Sequence, residues 1–178
     1  MKRGIVLLVF VCAAGCGTNV DTPPLPMTTS TAATTVTTPP EISESVAVEP
    51  LLKDPCAAVS MSTLRDLGVP LVPARIEVDA AVGCRWEEGS VGTGLGVIVH
   101  PGHDPLEGVF DRSGVQQIDV AGFPALRLGV KPESLCQVWV KTAPDQGISV
   151  NYRSFDRPID ACGGATAVAS EVAGALRR

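Results

Sequence analysis

Four of the six cysteines restrict the fold of this chain more than any other feature, because they are spread over the whole region that could form a globular domain. Cys12 and Cys16 lie in an apolar N-terminal stretch, and the other four are Cys56, Cys84, Cys136 and Cys162. An even number of cysteines in an exported domain predicts two disulfides. A zinc site is the competing interpretation, but the chain contains no Cys-x-x-Cys pair, which disfavours it.

The N-terminus predicts export. Lys2 and Arg3 precede the apolar stretch Ile5–Cys16, which has the pattern of a secretory signal peptide over residues 1–15 and is shorter than the ~20 apolar residues of a transmembrane helix. Its end, Ala13-Ala14-Gly15-Cys16, resembles the lipobox of bacterial lipoproteins, with alanine in place of the usual leucine. The resemblance implies a lipidated Cys16 on the extracytoplasmic face of the cell membrane. An ordinary signal peptide that is cut nearby is the alternative.

Composition separates a tether from a folded domain. Residues 16–53 are dominated by threonine and proline, which predicts a lipidated cysteine followed by a disordered tether, and then a folded domain over residues 54–178. The formal net charge is −5. The chain therefore lacks the excess of basic residues that would attract nucleic acid or anionic lipid. We therefore expect no nucleic-acid partner, and membrane contact through the lipid anchor.

The pattern of the folded region predicts helices at both ends of an antiparallel sheet. Ser60 is a good N-cap for a helix over Met61–Leu67 that Gly68 ends, and Asp160 is a good N-cap for a C-terminal helix. Between them, Cys84 and Trp86 begin a series of runs in which apolar and polar residues alternate, with Glu88–Gly94 as the first hairpin turn. We predict an α+β fold with roughly six strands and both helices on one sheet face. The runs lie at 84–87, 95–100, 115–120, 125–128, 136–141 and 148–153, with a possible short strand at Arg75–Val78.

The disulfide pairing can be predicted from these elements. Cys56 and Cys162 lie near helix starts, whereas Cys84 and Cys136 lie on strands. Four cysteines allow three pairings. The simplest joins each helix start to the strand nearest in sequence, as Cys56–Cys84 and Cys136–Cys162.

Several short motifs resemble a known family. They are Asp54-Pro55-Cys56, Gly83-Cys84-Arg85-Trp86, Cys136 at a strand start, and Cys162 before an Ala/Val-rich helix. Together they are similar to the mycobacterial Lpr/Lpp-type lipoproteins, actinobacterial envelope proteins that share a domain of unknown function. The resemblance implies an exported, disulfide-bonded, membrane-tethered domain and supplies no catalytic residue.

Candidate chemistry is sparse. Gly89–Gly96 is glycine-rich but lacks the Lys-Ser/Thr of a phosphate loop. His100, His103, Asp104 and Glu107 carry metal-type side chains, but two prolines and a glycine place them in a loop without ligand geometry, so we expect a polar surface loop. We predict no metal, no cofactor and no enzymatic activity.

Trp139 is the main candidate for binding. Alternation places it on the sheet face opposite Cys136, Val138 and Val140. If the helices cover the cysteine face, Trp139 is exposed near Asn151 and Arg153, and tryptophan beside arginine is typical of binding hot spots. The alternative is a cross-strand tryptophan that fills the sheet surface.

Two functions fit these predictions. The first is a non-enzymatic binding or scaffold lipoprotein whose partner is another envelope protein. The second is a carrier of an apolar envelope molecule or lipid, held between the sheet and the last helix, where Ala165, Ala169 and Ala173 are small.

Overall fold

The computed structural model describes residues 41–87, 92–109, 111–130, 134–155 and 160–178. The predicted signal peptide, Cys16, most of the predicted tether and residues 88–91 of the predicted hairpin turn lie outside these ranges. The helical elements are α1 (Glu49–Lys53), a 3-10 helix (Pro55–Ala58), α2 (Met61–Leu67) and α3 (Ala161–Ala175). Within the described ranges, no helix combines the length and the apolar character needed to cross a bilayer.

Within the described residues, seven strands form one antiparallel sheet in the order β1-β2-β3-β7-β6-β5-β4. The prediction of roughly six strands was one strand short, because β1 pairs fully with β2. Apolar and polar residues alternate along β1, but the run is short and four of its five residues are exposed. The sequence therefore indicated only a possible strand at Arg75–Val78. The strands are β1 (Ala74–Val78), β2 (Ala81–Glu87), β3 (Gly94–His100), β4 (Gln116–Val120), β5 (Phe123–Val130), β6 (Leu135–Ala143) and β7 (Gln146–Arg153).

The sheet consists of two meanders that meet at its centre. After β3 the chain crosses to the far edge, where β4 begins, and returns through β5 and β6 to β7. β3 and β7 then pair along their whole lengths, from Gly94 opposite Arg153 to His100 opposite Gly147. This central pairing brings together residues that are distant in sequence, and it shapes the site described below.

Alternate residues of the central strands form the core together with α3. Gly164 of α3 lies against the Tyr152 ring, where a Cβ would come within 3.0 Å of two ring carbons. The Tyr152 hydroxyl donates a hydrogen bond to the Leu67 carbonyl oxygen at 2.9 Å, which ties β7 to the end of α2. The central members of this cluster are Cys84, Trp86, Val97, Val99, Cys136, Val138, Val140, Val150, Ala165, Val168, Ala169 and Val172.

The predicted helix caps are confirmed. The Ser60 hydroxyl oxygen accepts a hydrogen bond from the Thr63 amide, and Gly68 ends α2 with φ 65°. The Asp160 carboxylate accepts a hydrogen bond from the Cys162 amide at the start of α3. These polar side chains satisfy amides that a helix leaves unpaired in its first turn.

Glu171 joins α2 to α3. Its carboxylate accepts hydrogen bonds from the Ser60 amide at 2.9 Å and the Thr63 hydroxyl at 2.7 Å. Partial burial raises the pKa of this carboxyl, but these hydrogen bonds, together with Arg178, outweigh burial and hold the pKa below its ordinary value. The ionised form of Glu171 is therefore the one that the fold stabilises.

Two disulfides connect helical segments to the sheet. Cys56 is bonded to Cys84 and Cys136 to Cys162, with Cα atoms 5.0 Å apart in each pair. This is the pairing favoured from the sequence. Cys84 and Cys136 are fully buried on the core face.

The folded domain begins earlier than the predicted boundary at Asp54. The Val46 amide donates a hydrogen bond to the Thr142 carbonyl oxygen at 2.7 Å. Val48 is fully buried and Leu51 is 6% exposed. The threonine and proline content of the preceding chain concealed this short apolar pattern, which packs residues 46–53 against the domain.

Candidate binding groove on the open sheet face

The face of the sheet opposite α3 contains a groove over its central strands. Residues that alternate with the buried core point to this face, so Arg85 and Glu87 on β2 lie beside Gly96 on β3 and Asn151 on β7. The groove has a volume of about 310 Å³. We call this the open-face groove, and its lining residues are Ile76, Arg85, Glu87, Gly94, Leu95, Gly96, Ile98, Leu135, Gln137, Asn151 and Arg153.

Two arginines flank one carboxylate in the open-face groove. Arg85 Nε lies 2.9 Å from Glu87 Oε1, and Arg153 Nη2 lies 2.9 Å from Glu87 Oε2. Gly94 allows this arrangement, since a Cβ there would lie 3.0 Å from Arg153 Nε. A guanidinium has five N–H donors, and the Arg85 side chain, which contacts Glu87 through Nε, is 50% exposed. Arg85 can therefore bind a further anionic group.

Two amide side chains continue the polar surface. Gln137 Nε2 donates a hydrogen bond to Asn151 Oδ1 across β6 and β7. This contact holds the two amides together on the face that lines the groove. A Cβ built on Gly96 would meet no atom within 4 Å. The floor of the groove at this position is therefore backbone that a ligand can reach.

Asn151 and Arg153 line the open-face groove, whereas Trp139 is outside its lining. Trp139 lies on the predicted face, opposite Ser149 in the sheet. It is half-buried there, beneath the connection between β3 and β4. It packs against a second apolar cluster, and Arg112 lies over its ring at 5.7 Å from the centroid. The involvement of Trp139 in binding stays a prediction. The buried residues of the second cluster are Leu106, Val109, Val115 and Leu126.

A comparison with protein families assigns the chain to one of them. A family model described as "Protein of unknown function (DUF3558)" matches residues 11–175. The chain belongs to this family. The match to DUF3558 includes both disulfides and every residue of the open-face groove. No curated protein and no solved structure matches the chain.

The histidine loop of this DUF3558 member lies outside the groove. His100 Nε2 is 3.0 Å from the Ser149 hydroxyl, and the His100 and His103 ring centroids are 6.2 Å apart. Asp104 is held by Lys141 at 2.6 Å. Burial, and then the proximity of His103, lower the pKa of His100 from its ordinary value of 6.5. Among the described residues, no group of three or more His, Cys, Asp or Glu side chains could hold a metal ion.

Sequence reasoning missed most of the groove. The sequence could have placed three groove residues on the open face, because each alternates with a buried core residue. They are Arg85, Glu87 and Gln137. Their proximity to Asn151 and Arg153 depends on the pairing of β3 with β7. Three other strands lie between β3 and β7 in the sequence. The pairing of β3 with β7 therefore cannot be predicted from a local sequence pattern.

Proposed function

We propose that this DUF3558 protein is a lipoprotein of the bacterial cell envelope, acylated at Cys16 and held on the extracytoplasmic face of the cell membrane. The charge and apolar pattern of residues 1–16 supports this, and the family match begins at residue 11, inside that stretch. The two disulfides support an oxidising compartment. We further propose that it is of the mycobacterial Lpr/Lpp type, because it shares that group's cysteine and tryptophan motifs.

We propose that the domain acts as a non-enzymatic binding module, with the open-face groove as its binding surface and the helices covering the other face. The observation that carries this proposal is the half-exposed guanidinium of Arg85 in the groove, beside the open floor at Gly96. Guanidinium groups bind carboxylates through paired, charge-assisted hydrogen bonds. The partner is therefore another envelope protein that presents a carboxylate together with peptide groups.

The carrier function has less support. Ala165, Ala169 and Ala173 would have to line a space for an apolar molecule, but all three are fully buried within the core cluster. Close packing of α3 on the sheet accounts for these small residues.

Site-specific photocrosslinking in the native envelope tests the groove. A photoreactive amino acid at position 96 should capture a partner, whereas the same residue at position 174 should not. The two positions are matched, because a Cβ at either glycine meets nothing within 4 Å. Capture at position 96 should also be lost in the Arg85→Glu variant. Equal capture at both positions would contradict the proposed surface.

The anchor requires a separate test. Mass spectrometry of the N-terminal peptide from native membranes should show a diacylglyceryl group on Cys16. Cys16→Ser should release the protein from the membrane fraction. An unmodified Cys16 would contradict the anchor and leave the groove proposal standing.

A further inference from the structure

In the part of the chain that the structure describes, β1 is an edge strand with no neighbouring strand on its outer side. β2 is its one neighbour in the strand order, and the register between them is continuous from Ala74 to Val78. Edge strands usually carry a lysine, a proline, a bulge or an inward charge that prevents pairing with another chain. β1, with the sequence ARIEV, has no lysine, proline or bulge, and its two charged residues, Arg75 and Glu77, have opposite signs. Its outer N–H and C=O groups can therefore accept a further strand.

The charges of β1 are complementary to those of a second copy. Arg75 and Glu77 flank Ile76. If two copies of β1 pair antiparallel about Ile76, each Arg75 lies directly opposite the Glu77 of the other copy, and Ile76 lies opposite itself. Opposite charges stabilise such cross-strand pairs, whereas like charges destabilise them. A pairing centred on Arg75 or on Glu77 would place like charges opposite each other, so the strand favours one register.

The other edge of the sheet lacks this property. If β4 paired with itself about Ile118, Gln117 would lie opposite Asp119, which gives no pair of opposite charges. The Asp119 carboxylate also accepts a hydrogen bond from the Gly122 amide at 2.9 Å. Self-complementarity is therefore a property of β1 and not of both edges.

The same register covers apolar surface. Ala74, Ile76 and Val78 point to the face that carries the open-face groove, because they pair with Arg85, Gly83 and Ala81. Val78 is 48% exposed. In the self-pairing about Ile76, each Val78 would pack beside the Ala74 of the other copy, and the apolar row would continue from one copy into the next.

We propose that two copies of this chain associate by antiparallel pairing of β1 about a two-fold axis at Ile76, so that one sheet runs through both copies. Such an interface uses the same patch on each copy and closes on itself. A pairing of five-residue strands buries little area, so the dimer is a weak one whose population depends on concentration.

Disulfide trapping tests the register. Residues directly opposite in an antiparallel pair have Cα atoms about 4.5–5.5 Å apart, which suits a disulfide. The full chain carrying Cys12→Ser, Cys16→Ser and Ile76→Cys should therefore form a covalent dimer under mild oxidation. Val72→Cys is the control, because Val72 is 81% exposed but would lie roughly 25 Å from its copy in this register. Faster trapping through Val72→Cys than through Ile76→Cys would overturn the proposal.

Charge exchange tests the pairing independently. Glu77→Arg should lower the trapping rate through Ile76→Cys about tenfold, because two attractive pairs become repulsive. Adding Arg75→Glu should restore it. Arg75 also donates hydrogen bonds to the carbonyl oxygens of Lys53 and Leu52, so melting temperatures of all variants should be compared. A folded double variant that does not regain trapping would reject the pairing, and trapping to a different protein in the native envelope would assign the edge to that protein.

Discussion

Gly83 and Gly96 lie on adjacent strands of the same sheet and should respond oppositely to alanine. A Cβ on Gly83 would lie 2.4 Å from the Val97 carbonyl oxygen and 3.2 Å from Ile98 Cα. A Cβ on Gly96 would meet nothing within 4 Å. Each substitution lowers the conformational entropy of the unfolded chain by the same amount, because each replaces one glycine with alanine.

The structure gives the size of the difference. Relief of the Gly83→Ala contact requires β2 and β3 to separate locally by about 1 Å, which stretches their hydrogen bonds and costs about 2–3 kcal/mol. The reduced entropy of the unfolded chain offsets about 0.5–1 kcal/mol of this cost. Gly96→Ala gains that entropy term without a clash. The two variants should therefore differ in unfolding free energy by about 2–3 kcal/mol, or about 10 °C in melting temperature.

Urea and thermal unfolding of the full chain measure this difference. The fluorescence of Trp86, which is 1% exposed, reports unfolding of the core, and far-ultraviolet circular dichroism reports loss of the sheet. Gly96→Ala should be slightly more stable than the unsubstituted chain, and Gly83→Ala clearly less stable. Equal stabilities of the two variants would refute the close approach of β2 to β3 at Gly83.

Three further perturbations follow from the contacts of the folded domain. Glu171→Gln should destabilise the domain by about 1 kcal/mol in urea unfolding at pH 7, since the hydroxyl of Thr63 loses a charged acceptor, and the difference should shrink as the pH falls through the lowered pKa of Glu171. The unfolding free energy should fall as the pH decreases below 6.5, because the unfolded chain binds a proton that the lowered pKa of His100 resists; His100→Gln should reduce this slope, and an unchanged slope would contradict the assignment. Replacing Cys136 and Cys162 by alanine opens a bridge with a sequence separation of 26, which should cost about 3–4 kcal/mol in calorimetry, and a loss below 1 kcal/mol would contradict the chain-entropy reasoning.

Local chemistry was predictable from the sequence, and long-range pairing was not. Ser60, Gly68 and Asp160 mark helix ends through side-chain and backbone properties that act within one turn. The disulfide pairing was also accessible, because each bridge joins elements that are close in sequence. β1 was not recognised as a full strand. It is defined by its pairing with β2, and its side chains are mostly exposed.

The candidate site shows the same division. Alternation placed Trp139, Asn151 and Arg153 on one face, as in the structure. It could not reveal that Leu106 and Val109 in the following connection fold back over Trp139. Leu106 and Val109 lie in a loop with several prolines and glycines, so their packing depends on the path of the whole chain between β3 and β4.

The bridge between Cys56 and Cys84 has a mechanical consequence. A pull that detaches residues 46–53 reaches Cys56 and then passes through a covalent bond to Cys84, whose neighbour Arg85 lines the open-face groove. α2 and β1 lie between the two cysteines in sequence but outside this path. A partner held at Arg85 could therefore bear tension from the N-terminal side while the intervening helix and strand stay unloaded.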